Sequence, residues 1–284
     1  MITVEQLATN VKPTWCPGCG NFGIWLALKN ALVKLGVPYE KVVIVYGVGC
    51  HGNMRDWMNC YGVEGLHGRA IPTAQGIKLA NPDLTVIAVQ GDGDCLGEGG
   101  NHFMHGAKRN PDITVILHDN EVYGLTTGQA SPTARHGFKT KSTPEGNKDE
   151  PVNPLALALV AGASFVSRGF SGEMMHLTDL MVQAISHKGF SLVDVLQPCV
   201  TFDRVHTYQW YRERVYKLGA EYQTTDKFAA MIKGYEWGEK IPLGIFYQDT
   251  RETSEDRESA YLGGPLPTRG GGIPNRDDVF SVFR

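Results

Sequence analysis

Apolar residues recur along this chain in two rhythms. Between residues 21 and 35, Ile24, Leu28, Leu32 and Leu35 fall at helical spacing before Gly36, and Asn21 stands where a helix cap belongs. Val42 to Tyr46 is instead an unbroken apolar run with β-branched residues, the pattern of a buried strand, and the turn Gly47-Val48-Gly49-Cys50 follows it. The two rhythms then alternate. A helix is expected over 72–80, begun by Pro72 and stopped before Pro82; a strand over 84–89; a helix near 99–109; a strand over 113–117. Leu155 to Val160 reads as helical and Val166 closes a short strand. Residues 173–187 form an amphipathic helix with Met174, Leu177, Leu180, Met181 and Ile185, and a strand over 192–196 ends at Pro198-Cys199. Such alternation predicts an α/β fold with a doubly wound, mostly parallel sheet. The segment 124–153, long and rich in Gly, Thr, Ser and Pro, reads as a functional loop.

Beyond residue 202 the alternation thins. A helix near 225–237, a strand at 243–247 and a Gly/Pro-rich tail from Gly263 to Pro274 remain. The expected organisation is an α/β domain over 1–202 and an extension over 203–284 that packs on that domain or on a partner. No internal repeat is visible.

Composition narrows the class without changing this picture. With 42% hydrophobic and 20% charged residues, the 284-residue chain has the make-up of a soluble globular protein. A net charge of −3 argues against nucleic acid or an anionic membrane as main partner. No apolar run approaches the ~18 residues of a membrane span. The start, Met1 to Gln6, has neither a basic nor an apolar signal region, so the cytoplasm is the expected compartment.

The chemistry concentrates first at Gly91-Asp92-Gly93-Asp94, with Asn120 following 26 residues later. Two adjacent strands, 84–89 and 113–117, would deliver Asp92 and Asn120 to one edge of the sheet, where open α/β sheets bind ligands. A carboxylate and an amide oxygen are hard donors suited to Mg²⁺, and glycines let backbone approach a diphosphate. Gly-Asp-Gly alone is a common turn; the order strand, motif, helix, strand, Asn gives it weight. That order resembles the diphosphate-binding signature of thiamine diphosphate enzymes.

The six cysteines are too few for a disulfide framework in a cytosolic chain of this size. Cys16-Pro17-Gly18-Cys19 has the spacing for two sulfurs at one metal centre. Cys50 and Cys199 each follow a strand and would emerge on the edge that carries Asp92 and Asn120. Four thiolates from scattered segments suit an iron–sulfur cubane and would equally suit a Cys₄ zinc site. Zinc has no redox chemistry and would act only as a staple, whereas a cluster could accept the electrons released when a 2-oxoacid is decarboxylated. Cys60 and Cys95 read as small buried hydrophobes.

A wider set of motifs runs in order from about residue 12 to about residue 250. It comprises Thr14-Trp15-Cys16-Pro17-Gly18-Cys19-Gly20, Gly49-Cys50, His67-Gly68-Arg69-Ala70, the Gly91–Asn120 span, Tyr123-Gly124-Leu125-Thr126-Thr127-Gly128-Gln129, Gln197-Pro198-Cys199 and Thr207-Tyr208-Gln209-Trp210-Tyr211. Together these resemble the beta subunit of 2-oxoacid:ferredoxin oxidoreductases. The resemblance implies that Cys16, Cys19, Cys50 and Cys199 ligate one [4Fe–4S] cluster, and that Asp92, Asn120 and the backbone carbonyl of Val122 hold Mg²⁺. It implies that Val48, Gly49, Cys50, His51, His67, Gly93, Asp94, Gly124 and Leu125 line thiamine diphosphate. His51, His67, Thr126 and Thr127 would serve catalysis on the side of substrate or coenzyme A; for His67 the alternative is a hydrogen-bonded histidine that only orders its loop.

The implied activity is oxidative decarboxylation of a 2-oxoacid to acyl-CoA and CO₂, with electrons passing through the cluster to ferredoxin. A partner alpha (or alpha/gamma) subunit is implied, because only one diphosphate-type domain is present. His51 and Asn53 depart from the small or basic residues common there, which leaves pyruvate, 2-oxoglutarate and branched-chain 2-oxoacids open. The competing reading is a non-oxidative thiamine diphosphate enzyme subunit with a structural Cys₄ zinc site.

Overall fold

A computed structural model describes residues 2–258 and 265–268. Among these residues, ten strands and eight helices alternate in the expected way. The strands are β1 (Val42–Tyr46), β2 (Tyr61–Glu64), β3 (Thr85–Gly91), β4 (Thr114–Asp119), β5 (Val122–Tyr123), β6 (Gln129–Ala130), β7 (Phe165–Phe170), β8 (Ser191–Leu196), β9 (Val215–Lys217) and β10 (Ile241–Gln248). The helices are α1 (Asn21–Leu35), α2 (Ala70–Ala80), α3 (Gly100–Arg109), α4 (Pro154–Ala161), α5 (Met174–Ser186), α6 (Tyr208–Arg212), α7 (Lys227–Gly234) and α8 (Ser254–Arg257). Eight strands form one sheet in the order β2-β1-β3-β4-β8-β7-β10-β9, and β5 pairs with β6 in a separate small hairpin. The sheet is parallel except where β10 runs antiparallel to β7.

Strand residues alternate between two cores, as the two-residue period of a strand requires. Ile44, Tyr46, Ile87, Val89, Ile116, Val193 and Val195 meet Leu28 and Leu32 of α1 and Leu177 and Met181 of α5 on one face. Val45, Val86, Ala88, Val115, Leu117 and Leu192 meet Ala74 of α2, Phe103 of α3 and Leu159 of α4 on the other. Both faces being covered explains why every residue of β1, β4 and β8 is buried and why β1 reads as an unbroken apolar run.

Several details differ from the sequence expectation. Asn21 does not cap α1: Gly20 occupies that position, and the Asn21 side chain turns inward, its Oδ1 2.7 Å from His118 Nδ1. The helix expected from Pro72 begins at Ala70, with Pro72 inside the first turn, where no backbone donor is needed. Cys95 is fully buried, but Cys60 is only half-buried at the margin of the α1/α5 core. Strand β2 was invisible because all four of its residues are exposed at the sheet edge, leaving no burial pattern to read. After residue 202 the chain adds β9 and β10 to the main sheet. Of the expected tail Gly263 to Pro274, all but residues 265–268 lies outside the described residues.

Candidate functional site

The chain leaves β1 toward β2 on one side and leaves β3 toward β4 on the other. The ends of β1 and β3 therefore splay apart and open a crevice, as at the switch point of doubly wound sheets. One cleft there is lined by Val48, Gly49, Cys50, His51, His67, Asp92, Gly93, Asp94, Asn120, Val122, Gly124, Leu125 and Thr126, joined by Gly91 and Tyr123. The residues expected around the diphosphate and its cation thus converge with Thr126 on one place. Thr127 is not among the lining residues; it is exposed and sits at φ +77°, a strained conformation for a β-branched residue.

Asp92 follows β3 directly, with its carboxylate buried. Its Oδ2 accepts from the Glu121 N–H at 2.9 Å and from the hydroxyls of Ser131 and Thr133, each at 2.6 Å. Burial pushes its pKa up to about 6, against the pull of the Ser131, Thr133 and Gly93 hydrogen bonds, with the Glu121 charge adding to the rise. A carboxylate so desolvated gains from a cation beside it. Asn120, which lines the same cleft, has its amide oriented by a 3.0 Å bond from the Val122 N–H to Oδ1. The donor set is hard oxygen and fits Mg²⁺.

Asp94 shapes the wall. Its Oδ1 accepts from the N–H groups of Val48 at 3.1 Å and Gly68 at 2.8 Å and lies 2.7 Å from His67 Nδ1; its Oδ2 accepts from Gln90 Nε2. A Cβ at Gly47 would stand 1.9 Å from Asp94 Oδ2, so only glycine permits this approach. The residue clips the turns after β1 and before α2 together. His51 is also a brace: its Nε2 accepts from the Gly91 N–H at 3.0 Å. Burial, with His67 nearby, lowers its pKa to about 3, so the ring is neutral and no acid near pH 7. Any catalytic part for His51, as the sequence expects, would be that of a neutral imidazole and not of an acid.

Cys50 borders this cleft and also belongs to a group of four thiols. Burial raises Cys19 to about 12, and the charges of Cys199, Cys50 and Cys16 add to the rise. Burial raises Cys50 to about 11, with Cys199 and Cys16 again contributing. The turn is closed by the Cys19 N–H donating to the Cys16 carbonyl at 2.9 Å, and Gly20 N–H ties it to the Pro198 carbonyl at 3.3 Å. Trp15 Nε1 donates to the Cys50 carbonyl at 2.6 Å. Mutually repelling thiols gathered from three segments fit a positively charged metal centre. Among the described residues, the one set of three ligating groups within 4.8 Å of one another is Glu121, Asp203 and His206.

Comparison with known proteins agrees with this geometry. Residues 47–195 match the family described as "Thiamine pyrophosphate enzyme, C-terminal TPP binding domain". Residues 199–262 match the family described as the C-terminal part of the pyruvate ferredoxin oxidoreductase beta subunit. The chain is 50% identical over 248 residues to a 2-oxoacid:ferredoxin oxidoreductase subunit beta of a Sulfolobus species, covering 83% of this chain and 81% of that one. The chain belongs to the beta-subunit family of 2-oxoacid:ferredoxin oxidoreductases. A Saccharolobus solfataricus member of that family is 46% identical over 269 residues, covering 88% of each chain. A solved 2-oxoglutarate:ferredoxin oxidoreductase from Magnetococcus marinus, with 2-oxoglutarate, coenzyme A and succinyl-CoA bound, superposes with a TM-score of 0.90 at 34% identity. The match covers 99% of this chain and 96% of that one.

Within this beta subunit, sequence reasoning missed the residues that hold the ligands in place. Ser131 and Thr133 fix Asp92 from the 124–153 segment, which reads as a functional loop but whose composition does not single out these two residues. Glu121, at φ +61°, is locked by His206 Nδ1 and by Arg135, which also forks onto both oxygens of Asp203 at 2.7 and 3.0 Å. Burial alone would raise the Asp203 carboxyl, but Arg135 holds it below its ordinary value. This group has metal-like spacing, yet the Arg135 guanidinium already pairs with both of its carboxylates, so it serves to tie the loop after β4 to residues 203–206. Among the described residues, no helix is long and apolar enough to cross a membrane.

Proposed function

We propose that residues 1–202 form the cofactor-binding unit of this beta subunit, and that the enzyme converts a 2-oxoacid and coenzyme A to acyl-CoA and CO₂. Electrons pass through a [4Fe–4S] cluster to ferredoxin. The reading rests above all on Cys50, which borders the Asp92–Asn120 cleft and stands within charge reach of Cys16, Cys19 and Cys199. A cofactor in the cleft and a redox centre on the thiols would then be neighbours.

Asp92, Asn120 and the Val122 carbonyl would hold Mg²⁺ against the diphosphate of thiamine diphosphate; Cys16, Cys19, Cys50 and Cys199 would hold the cluster. When bound, thiamine diphosphate supplies the decarboxylation chemistry and the cluster one-electron transfer. The protein's own contribution is placement. Asp94 and His51 brace the turns at Val48, Gly68 and Gly91, and Gly93 and Gly124 keep the cleft open beside Tyr123 and Cys50. His67, half-exposed beside Asp94, and Thr126 line the same cleft and would serve on the side of substrate or coenzyme A.

The rest of the cofactor site comes from an alpha subunit, as the subunit names of the relatives support. The 2-oxoglutarate bound to the Magnetococcus marinus relative makes that acid the first substrate to try. The test is anaerobic reduction of a viologen by the co-expressed complex, with coenzyme A and a panel of 2-oxoacids. Turnover with one acid, together with a broad absorption near about 400 nm, is expected. A complex containing zinc and no iron would overturn the reading.

A further inference from the structure

A buried polar relay leads from the sheet to the Cys19 sulfur. Gln197 Nε2 donates to Cys19 Sγ at 3.7 Å, and Gln197 Oε1 lies 3.0 Å from His118 Nδ1. His118 Nδ1 is also 2.7 Å from Asn21 Oδ1. A ring nitrogen facing two amide oxygens carries the proton and donates to both. That proton fixes the Gln197 amide with its oxygen toward His118 and its NH₂ toward the sulfur. The opposite orientation would set an oxygen against a sulfur that becomes negative on binding metal.

The placement is enforced from every side. Asn21 and His118 are fully buried and Gln197 is 2% exposed, so water does not compete for these bonds. Gln197 N–H donates to the Asp119 carbonyl at 2.8 Å. A Cβ at Gly20 would meet Gln197 Cγ at 2.4 Å, so the glycine after the Cys-x-x-Cys turn is what lets the amide lie over it.

Resting on the reading that the four cysteines hold a [4Fe–4S] cluster, we propose that Gln197, oriented by His118 and Asn21, tunes that cluster's reduction potential through its N–H···S bond to Cys19. Reduction places more negative charge on the sulfurs, and a donor aimed at one of them stabilises the reduced form more than the oxidised form. The relay therefore raises the potential and eases electron acceptance. His118 acts one step removed, as a positioning residue.

The test uses the co-expressed complex, purified anaerobically and titrated potentiometrically with electron paramagnetic resonance as readout. Gln197→Met removes the donor at similar volume. Its equilibrium constant for reduction is expected to fall about tenfold, a shift of about 59 mV downward for a one-electron couple. Gln197→Glu replaces the donor with a carboxylate and is expected to fall at least as far. His118→Leu leaves the amide but frees its orientation and is expected to fall less. In D₂O, backbone N–H groups such as that of Asn21 on Cys19 and those of Thr201 and Phe202 on Cys199 contribute exchangeable deuterons in every form, so the readout is the deuteron coupling present in the parent and missing from both Gln197 variants, a difference that a merely structural role would not produce. Iron and sulfide content shows that each variant holds the cluster; if Gln197→Met does not, Gln197→Glu and His118→Leu are judged by the same criterion. Reduction equilibrium constants within about twofold of the parent in cluster-loaded variants overturn this inference alone. A parent complex without iron and sulfide overturns it together with the reading beneath it.

Discussion

The Thr133 hydroxyl lies 2.6 Å from Asp92 Oδ2 and 2.7 Å from Asp119 Oδ1, bridging two buried carboxyl groups with one proton of its own. That proton is shared between the two carboxyl groups. Burial, with Asp194, Asp92 and Glu121 adding to it, pushes the Asp119 pKa well above its ordinary value. Thr133→Val, isosteric but without the hydroxyl, is expected to cost about 1–3 kcal/mol of stability, measurable by urea unfolding. It should also shrink the thermal stabilisation given by Mg²⁺ and thiamine diphosphate.

Metal binding should weaken in mild acid. The Asp92 pKa is raised from 3.8 to about 6, so the carboxyl is protonated in the folded state below about pH 6 and cannot ligate. Mg²⁺-dependent binding of thiamine diphosphate, followed by calorimetry, is expected to be flat above about pH 7 and to fall roughly tenfold per pH unit below about 6. Asp92→Asn should abolish both the binding and its pH dependence; tight binding by that variant would show that the cation sits elsewhere.

His51 makes an opposite contribution to stability. Its folded pKa, about 3, lies below the 6.5 of an ordinary histidine, so the unfolded chain takes up the proton first as pH falls. The stability that His51 confers is complete above about pH 6.5 and declines toward about pH 3, by up to about 1.4 kcal/mol per pH unit. His51→Gln should flatten the acid limb of the stability profile. If the parent and this variant lose stability equally between about pH 6.5 and 4, the ring is not neutral in the fold.

At Thr127 the backbone is strained by about 1–3 kcal/mol, more than the roughly 1 kcal/mol that extra unfolded-state freedom takes back when glycine replaces it. Thr127→Gly is therefore expected to raise the unfolding midpoint slightly. Its effect on turnover measures whether the strained loop serves catalysis.

Much of the fold was legible because burial on both faces leaves a simple record. Val42 to Tyr46 and Ser191 to Leu196 are apolar enough to read as strands, and the turn residues after them name the site edge. Strand β2 left no such record, since Tyr61 and Val63 face solvent. The candidate ligating residues were readable from type and spacing. Their supports were not: Ser131, Thr133 and Gln90 act through distances closed only by folding, and Asn21 at a helix start looks like a cap whichever way it turns. His51 shows the limit of residue type, because imidazole chemistry near neutral pH depends on an enclosure that one dimension does not display.

Cys50 belongs at once to the cleft wall and to the thiol group, so the two proposed centres would share one short turn. Were both to load and that turn to carry any coupling between them, reciprocity would require the effect of iron depletion on diphosphate affinity to equal, as a factor, the effect of diphosphate depletion on the hold on iron. Assembly of this polypeptide with its prosthetic groups would then be one linked equilibrium and not two separate ones.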